Sequence, residues 1–252
     1  MDVYLAGEYY EKEIAAIVGE CAEKKGGVAD IALLRSFYYC NKTTKQLIPK
    51  LGRFMLDSGA FTLFTSGRYV DWDAYIERYA DFINRNQVEL FFELDVEVLI
   101  GYERVQKLRR TLERKTNRQC IPVWHKNRGK EEFLRLCDEY DYVGLGGIVS
   151  KEIRPQDYKY FPWFIKEAHR RKTKIHALGF TRLKELPKYH FDSVDSSSWI
   201  SGNQFGYVYR FTQNTLIKHA TPEGMMLADS KTVAMHNFKE WIKFQRYAKK
   251  YL

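Results

Sequence analysis

Short apolar runs recur along this chain, and longer stretches of helical spacing separate most of them. The runs are Val3 to Ala6, Ile31 to Tyr38, Phe54 to Asp57, Leu90 to Asp95, Cys120 to His125, Tyr142 to Ile148, Lys174 to Gly179 and Phe191 to Asp195. Between them, Ile14, Ile17, Val18 and Cys21 mark one amphipathic face, and Tyr75, Ile76, Tyr79, Phe82 and Ile83 mark another. Strands that alternate with helices form βαβ units, which place parallel strands in one sheet and helices outside it. Eight such units in 252 residues match a (β/α)8 TIM-type barrel, an α/β fold. An open doubly wound sheet would carry a glycine-rich phosphate turn after its first strand. Ala6-Gly7-Glu8-Tyr9 stands there instead, and no G-x-G-x-x-G follows any run. The expected organisation is a single barrel domain over 1–252, with 200–252 as a C-terminal extension packed on the barrel.

In a barrel of this kind the chemistry gathers at the C-terminal ends of the strands. Those ends read Asp57-Ser58-Gly59, Asp95, Trp124-His125, Gly146-Gly147, His176-Ala177-Leu178-Gly179 and Asp195-Ser196. A carboxylate at the end of a buried strand is costly unless it is paired, hydrogen-bonded or used. Three carboxylates and two imidazoles at one mouth therefore suggest a site. Parity separates the two aspartates of the last run. Side chains alternate faces along a strand, so an inward Asp195 sends Asp192 toward the helices, where a cap or salt bridge is its role. Glu93 shares parity with Asp95 and reads as a buried structural partner for Arg35. The basic run Arg104, Lys107, Arg109, Arg110, Arg114, Lys115 and Arg118 reads as the solvated face of a helix.

Composition limits the partners. The net charge is +9, which suits a polyanion. The four cysteines, Cys21, Cys40, Cys120 and Cys137, form no Cys-x-x-Cys and no cluster with His, so neither a structural zinc site nor a disulfide framework is expected. No apolar run approaches the roughly 18 residues that span a bilayer. Met1-Asp2-Val3-Tyr4-Leu5 lacks a basic leader and cleavage site, which points to the cytoplasm (the host's, if the chain is phage-encoded).

The ordered set Asp57-Ser58-Gly59-Ala60-Phe61, Asp95, Val143-Gly144-Leu145-Gly146-Gly147, His176-Ala177-Leu178-Gly179 and Asp192-Ser193-Val194-Asp195-Ser196 resembles the tRNA-guanine transglycosylase superfamily, and within it the phage and bacterial DNA-guanine transglycosylases that insert 7-deazaguanines. The resemblance implies base exchange in DNA: Asp195 attacks the sugar to form a covalent intermediate, and Asp57 moves protons. It also implies a base-binding set of Ser58, Phe61, Asp95, His125, Gly146, Gly147, His176 and Trp199, with Phe61 and Trp199 stacking on the base. DNA and a free 7-deazaguanine are the implied partners, with no cofactor and no metal. The family's transfer RNA enzymes carry a Cys-x-Cys-x-x-Cys zinc subdomain that this sequence lacks, which favours DNA over transfer RNA. Arg68, Lys126, Arg128 and Arg210 follow strand ends and are candidates for phosphate contacts. The competing readings are a tRNA-guanine transglycosylase-like enzyme, a metal-dependent TIM-barrel hydrolase with His and Asp ligands at strand ends, and a non-catalytic nucleic-acid-binding subunit.

Overall fold

The computed structural model describes residues 1–65, 69–202, 205–222 and 229–252. Eight parallel strands curl into a TIM-type barrel: β1 Asp2–Ala6, β2 Ala29–Ser36, β3 Leu51–Asp57, β4 Leu90–Phe91, β5 Val123–Trp124, β6 Tyr142–Leu145, β7 Lys174–Ala177 and β8 Ser193–Ser196. Their spatial order is β4-β3-β2-β1-β8-β7-β6-β5. Each apolar run of the sequence contributes one strand, and the helices Glu11–Glu23, Trp72–Arg85, Tyr102–Thr116, Gly129–Glu139 and Phe161–Arg170 lie among them in chain order.

Alternation along the strands divides the core in two. Tyr4, Ala32, Leu34, Met55, Phe92, Ile121 and Val123 fill the barrel interior. Their neighbours Val3, Leu5, Ile31, Leu33 and Trp124 point outward into the layer beneath the helices. Burying side chains on both faces explains why these strands read as nearly continuous apolar runs.

The barrel closes between its two shortest strands. β4 and β5 touch only through the parallel bridge Phe92↔Ile121, where Ile121 N donates to Phe91 O (2.8 Å) and Glu93 N to Ile121 O (3.0 Å). Side chains supply the remaining rungs. The buried Glu93 accepts the Val123 N–H at 2.7 Å through Oε1 and the Arg109 Nε–H at 2.7 Å through Oε2. The Tyr79 hydroxyl reaches the carbonyls of Leu56 and Phe92 at 3.1 and 3.0 Å. Glu93 therefore pairs with Arg109, and Arg35 takes Glu8 instead (3.6 Å). Arg109 is not on a solvated face: it is 3% exposed and lies against the rings of Tyr102 and Tyr140.

After β8 the chain forms an antiparallel hairpin, β9 Tyr207–Thr212 with β10 Thr215–Ala220, followed by the helix Ser230–Tyr251. That helix packs on β1, β2 and β9. Its buried Gln245 donates to the carbonyls of Val3 and Ala32, at 2.7 and 2.6 Å. No described helix is long and apolar enough to cross a membrane.

Candidate active site

A cleft of about 770 Å³ opens at the C-terminal ends of the strands and is lined by Asp57, Asp95, His125, Gly146, Gly147 and Asp195, with apolar walls from Leu34, Phe92 and Leu178. Phe61, Val98 and Val149 stand exposed at its rim.

Asp57 ends β3 at a tight turn. Gly59 has φ +76°, a backbone conformation that favours glycine, and its N–H donates to Asp57 Oδ2 at 2.9 Å. Burial pushes the Asp57 carboxyl up to about 6; the Gly59 N–H opposes this, and the charges of Asp95 and Asp195 add to it. Asp57 can therefore change protonation state close to neutrality.

Asp195 is held from the neighbouring strand. Its Oδ1 accepts the Gly179 N–H at 2.6 Å and faces His176 Nε2 at 3.2 Å. His176 Nδ1 meets the Ser193 hydroxyl at 2.5 Å, and that hydroxyl meets Tyr142 at 2.5 Å. One proton order satisfies the whole chain: Tyr142 donates to Ser193, Ser193 to His176 Nδ1, and His176 Nε2–H to Asp195. His176 is fully buried, so it orients Asp195 and does not line the cleft. Asp192 faces the helical layer, where it binds His169 at 2.9 Å and accepts the Ile175 N–H at 2.8 Å, as parity requires.

His125 bridges two carboxylates. Nε2 lies 2.9 Å from Asp95 Oδ1 and Nδ1 lies 2.9 Å from Glu152 Oε2. Both ring nitrogens can donate only in the imidazolium. Burial pulls the ring's pKa down, but the two carboxylates outweigh it and raise it to about 9. The two glycines opposite make room for this pair. A Cβ on Gly146 would lie 2.8 Å from His125 Cε1, and one on Gly147 would lie 2.9 Å from Glu152 Oε2. Glu152, which completes the triad, sits in a loop beyond β6 and carries no periodic signal in the sequence.

Several expected contacts fall elsewhere. Trp199 is fully buried, donates from Nε1 to the Ala6 carbonyl at 2.8 Å and packs on Phe238, so it cannot stack on a ligand in the cleft. Ser58 is fully buried and absent from the cleft wall. The Arg128 side chain is 3% exposed and turned to Glu97 (2.6 Å), to the Val123 carbonyl (2.6 Å) and to the face of Tyr102 (3.9 Å), so its guanidinium is buried away from a phosphate. Lys126 stands at the rim and reaches Asp157 at 3.1 Å. Arg210 is exposed on β9, opposite Ile217, outside the cleft lining. Arg68 lies outside the described residues.

A second groove of about 600 Å³ adjoins the cleft and shares Val149 and Gly179 with it. Lys151, Arg154 and Arg182 line it, with Arg182 over the Tyr158 ring at 5.2 Å. The nearby carboxylates are already taken, Asp157 by Lys126 and Glu152 by His125. Among the described residues no three of His, Cys, Asp and Glu stand together as a metal-holding group.

No family model matches this chain, and no curated protein does. Solved structures match by fold. One is an aldolase titled QR15, at 17% identity and a TM-score of 0.50, covering 78% of this chain and 89% of its own. Another is a Coccidioides immitis protein provisionally assigned as a fructose-1,6-biphosphate aldolase, at 14% identity and a TM-score of 0.54, covering 99% and 87%. At these identities the likeness establishes the barrel. It also corrects the transglycosylase resemblance: the fold neighbours are aldolases, which are lyases, so glycosyl transfer, guanine exchange and DNA modification are withdrawn.

Proposed function

We propose that this barrel is an acid–base lyase of the aldol type, acting on a carbonyl compound that carries a phosphate. The observation that carries the proposal is the confluence of two cavities of opposite character. The cleft offers the carboxylates Asp57 and Asp195, and the adjoining groove offers Lys151, Arg154 and Arg182. A substrate lying across the Val149–Gly179 divide would present its reacting carbons to the carboxylates and its anion to the arginines. Guanidinium groups suit phosphate because they can donate two parallel N–H bonds.

Asp57 is the proton carrier in this reading. As a carboxylate it takes the proton of the substrate hydroxyl while the neighbouring carbon–carbon bond breaks, which releases an aldehyde and an enolate. It then returns the same proton to the enolate carbon, so proton and electron pair balance within one turnover. A carboxyl that titrates near 6 can do both halves. Asp195, fixed by Gly179 and His176, accepts a hydrogen bond from a second substrate hydroxyl and so orients the carbon–carbon bond that breaks. Among the described cleft-lining residues the lysine is Lys126, turned toward Asp157, so a Schiff-base route has little support. The aldolase neighbours support the class through fold alone.

The test is a panel of β-hydroxycarbonyl compounds, each with and without a phosphate ester, assayed for aldehyde release with and without added divalent cation. Turnover restricted to phosphate esters is expected. Arg154→Ala and Arg182→Ala should raise KM about tenfold or more with kcat kept, because they touch the distal anion. Absence of turnover across the whole panel, with either cation condition, would overturn the reading.

A further inference from the structure

Behind Asp57, away from the cleft, lies a buried polar cluster that the proposed reaction does not use. Glu8 follows β1, and its Oε1 accepts the Ser36 N–H at 2.8 Å. Its Oε2 stands 3.6 Å from Arg35 Nε, too far for a hydrogen bond. Arg35, 1% exposed, donates through Nη1 to the carbonyls of Leu5 and Leu34 at 3.3 and 3.1 Å. Ser36 is the register partner of Asp57 across β2 and β3. Its Oγ also abuts the turn that holds Asp57, since a Cβ on Gly59 would lie 2.8 Å from it.

Glu8 Oε2, Arg35 Nε and Nη2, and Ser36 Oγ are all buried without a hydrogen-bond partner. Unpartnered donors and acceptors are rare in folded proteins, and such a group side by side calls for a bridging water or a mobile proton. The groups facing Glu8 are Arg35, Glu11, Asp57 and the Cys40 thiol, whose Sγ lies 3.4 Å from the Ser36 carbonyl. Only Arg35 is cationic in that set, so the cluster is short of positive charge for three ionised carboxylates.

We propose that Glu8 is a positioning residue that shares a proton with Asp57 through the Ser36 hydroxyl and water bridging that hydroxyl to each carboxyl. Each relay member takes a proton on one side and gives one on the other. When Asp57–H loses its proton, Glu8 gains one, and the O–H bonds of serine and water are re-formed in the same step. Burial pushes both carboxyls up, Glu8 to about 7 and Asp57 to about 6, so either can hold the shared proton close to neutrality. Glu8 thereby sets the protonation state in which Asp57 meets its substrate. This role rests on Asp57 as proton carrier, but its test needs no substrate, so the two can fail separately.

The test is a pH titration by NMR with 13C-labelled aspartate and glutamate carboxyls in the full chain. In the wild type, the Asp57 signal should show two inflections, the second at the Glu8 midpoint. Glu8→Gln should reduce the Asp57 curve to one step, and Glu8→Asp should restore the second. Ser36→Ala should also give one step, which simple charge repulsion would not. A single Asp57 step in the wild type overturns the proposal, and so do two steps that persist in Ser36→Ala. If Glu8→Gln does not fold, the wild-type and Ser36→Ala curves decide.

Discussion

Replacing Arg109 by methionine tests the view that an ion pair closes the barrel wall. The substitution keeps most of the side-chain volume but leaves Glu93 fully buried, with the Val123 N–H at 2.7 Å and Arg128 Nη1 no nearer than 3.9 Å. Removing one partner of a buried pair costs about 3–5 kcal/mol. A second route gives a bound. Glu93 can escape by taking a proton, and at about 1.4 kcal/mol per pH unit between an ordinary value of about 4.3 and pH 7.5 the charge penalty is limited to about 4.4 kcal/mol. A loss of about 3–4 kcal/mol corresponds to a fall in Tm of about 6–16 °C in a chain of this size. The sign with pH follows. Burial already pushes the Glu93 carboxyl up, and Arg109 holds it down. Without Arg109 the folded value rises further, so the variant is least impaired below the unfolded value and loses stability as pH rises from there. Urea unfolding at pH 5 and pH 7.5 reads both effects. The double substitution Glu93→Gln with Arg109→Met should recover more than about 1 kcal/mol of the summed single losses. A loss below about 1 kcal/mol for Arg109→Met at pH 7.5, with no pH dependence, would refute the reasoning.

His125, raised to about 9 by its two carboxylates, contributes stability that is present below about 6.5 and disappears as pH rises through about 9; melting curves between pH 6 and 10 should show this slope, and His125→Gln should abolish it. Asp57→Asn should lower kcat by about 100-fold or more, while the wild-type rate should rise through about pH 6 as Asp57 becomes a base; a steady-state pH profile checks both. Trp199→Phe removes the Nε1 bond to the Ala6 carbonyl and should cost about 1–3 kcal/mol in urea unfolding, yet leave ligand affinity in the cleft unchanged, because the ring does not reach it.

Period-two alternation carried much of the architecture and part of the site. It separated Asp195 from Asp192 because the backbone pairing of β8 continues through Asp192, which bonds to Ile175 and Asp2, and the two side chains do fall on opposite faces of the wall. The same logic failed at Glu93. β4 ends at Phe91, so the parity linking Glu93 to Asp95 runs through irregular backbone, and Glu93 turns outward to Arg109. Arg109 was hidden in a basic run because burial of a guanidinium depends on partners distant in sequence, here Glu93, Tyr102 and Tyr140. Trp199 lies just past β8, where no strand parity says which way a ring points. Glu152 and the basic groove sit in loops beyond β6 and β7, so only the folded backbone brings them to the mouth, as it brings Glu8, beyond β1, to the back of Asp57. The transglycosylase resemblance drew on short motifs at strand ends, which many barrels can carry because those ends face a common mouth whatever reaction occurs there.

The seam between β4 and β5 also has a bearing on how this protein can change. Asp95 lies on one side of that joint and His125 on the other, so their bond spans the place where the wall has the fewest backbone rungs. A substitution there alters ligand recognition and hoop strength at once. β2 and β3, in contrast, are joined by a ladder of six register pairs. Variation at the mouth above those staves leaves the hoop intact. New specificities should therefore arise more readily in the loops that rise from β2 and β3, with Asp57 itself kept, while the Asp95–His125–Glu152 side changes only together with compensation in the wall.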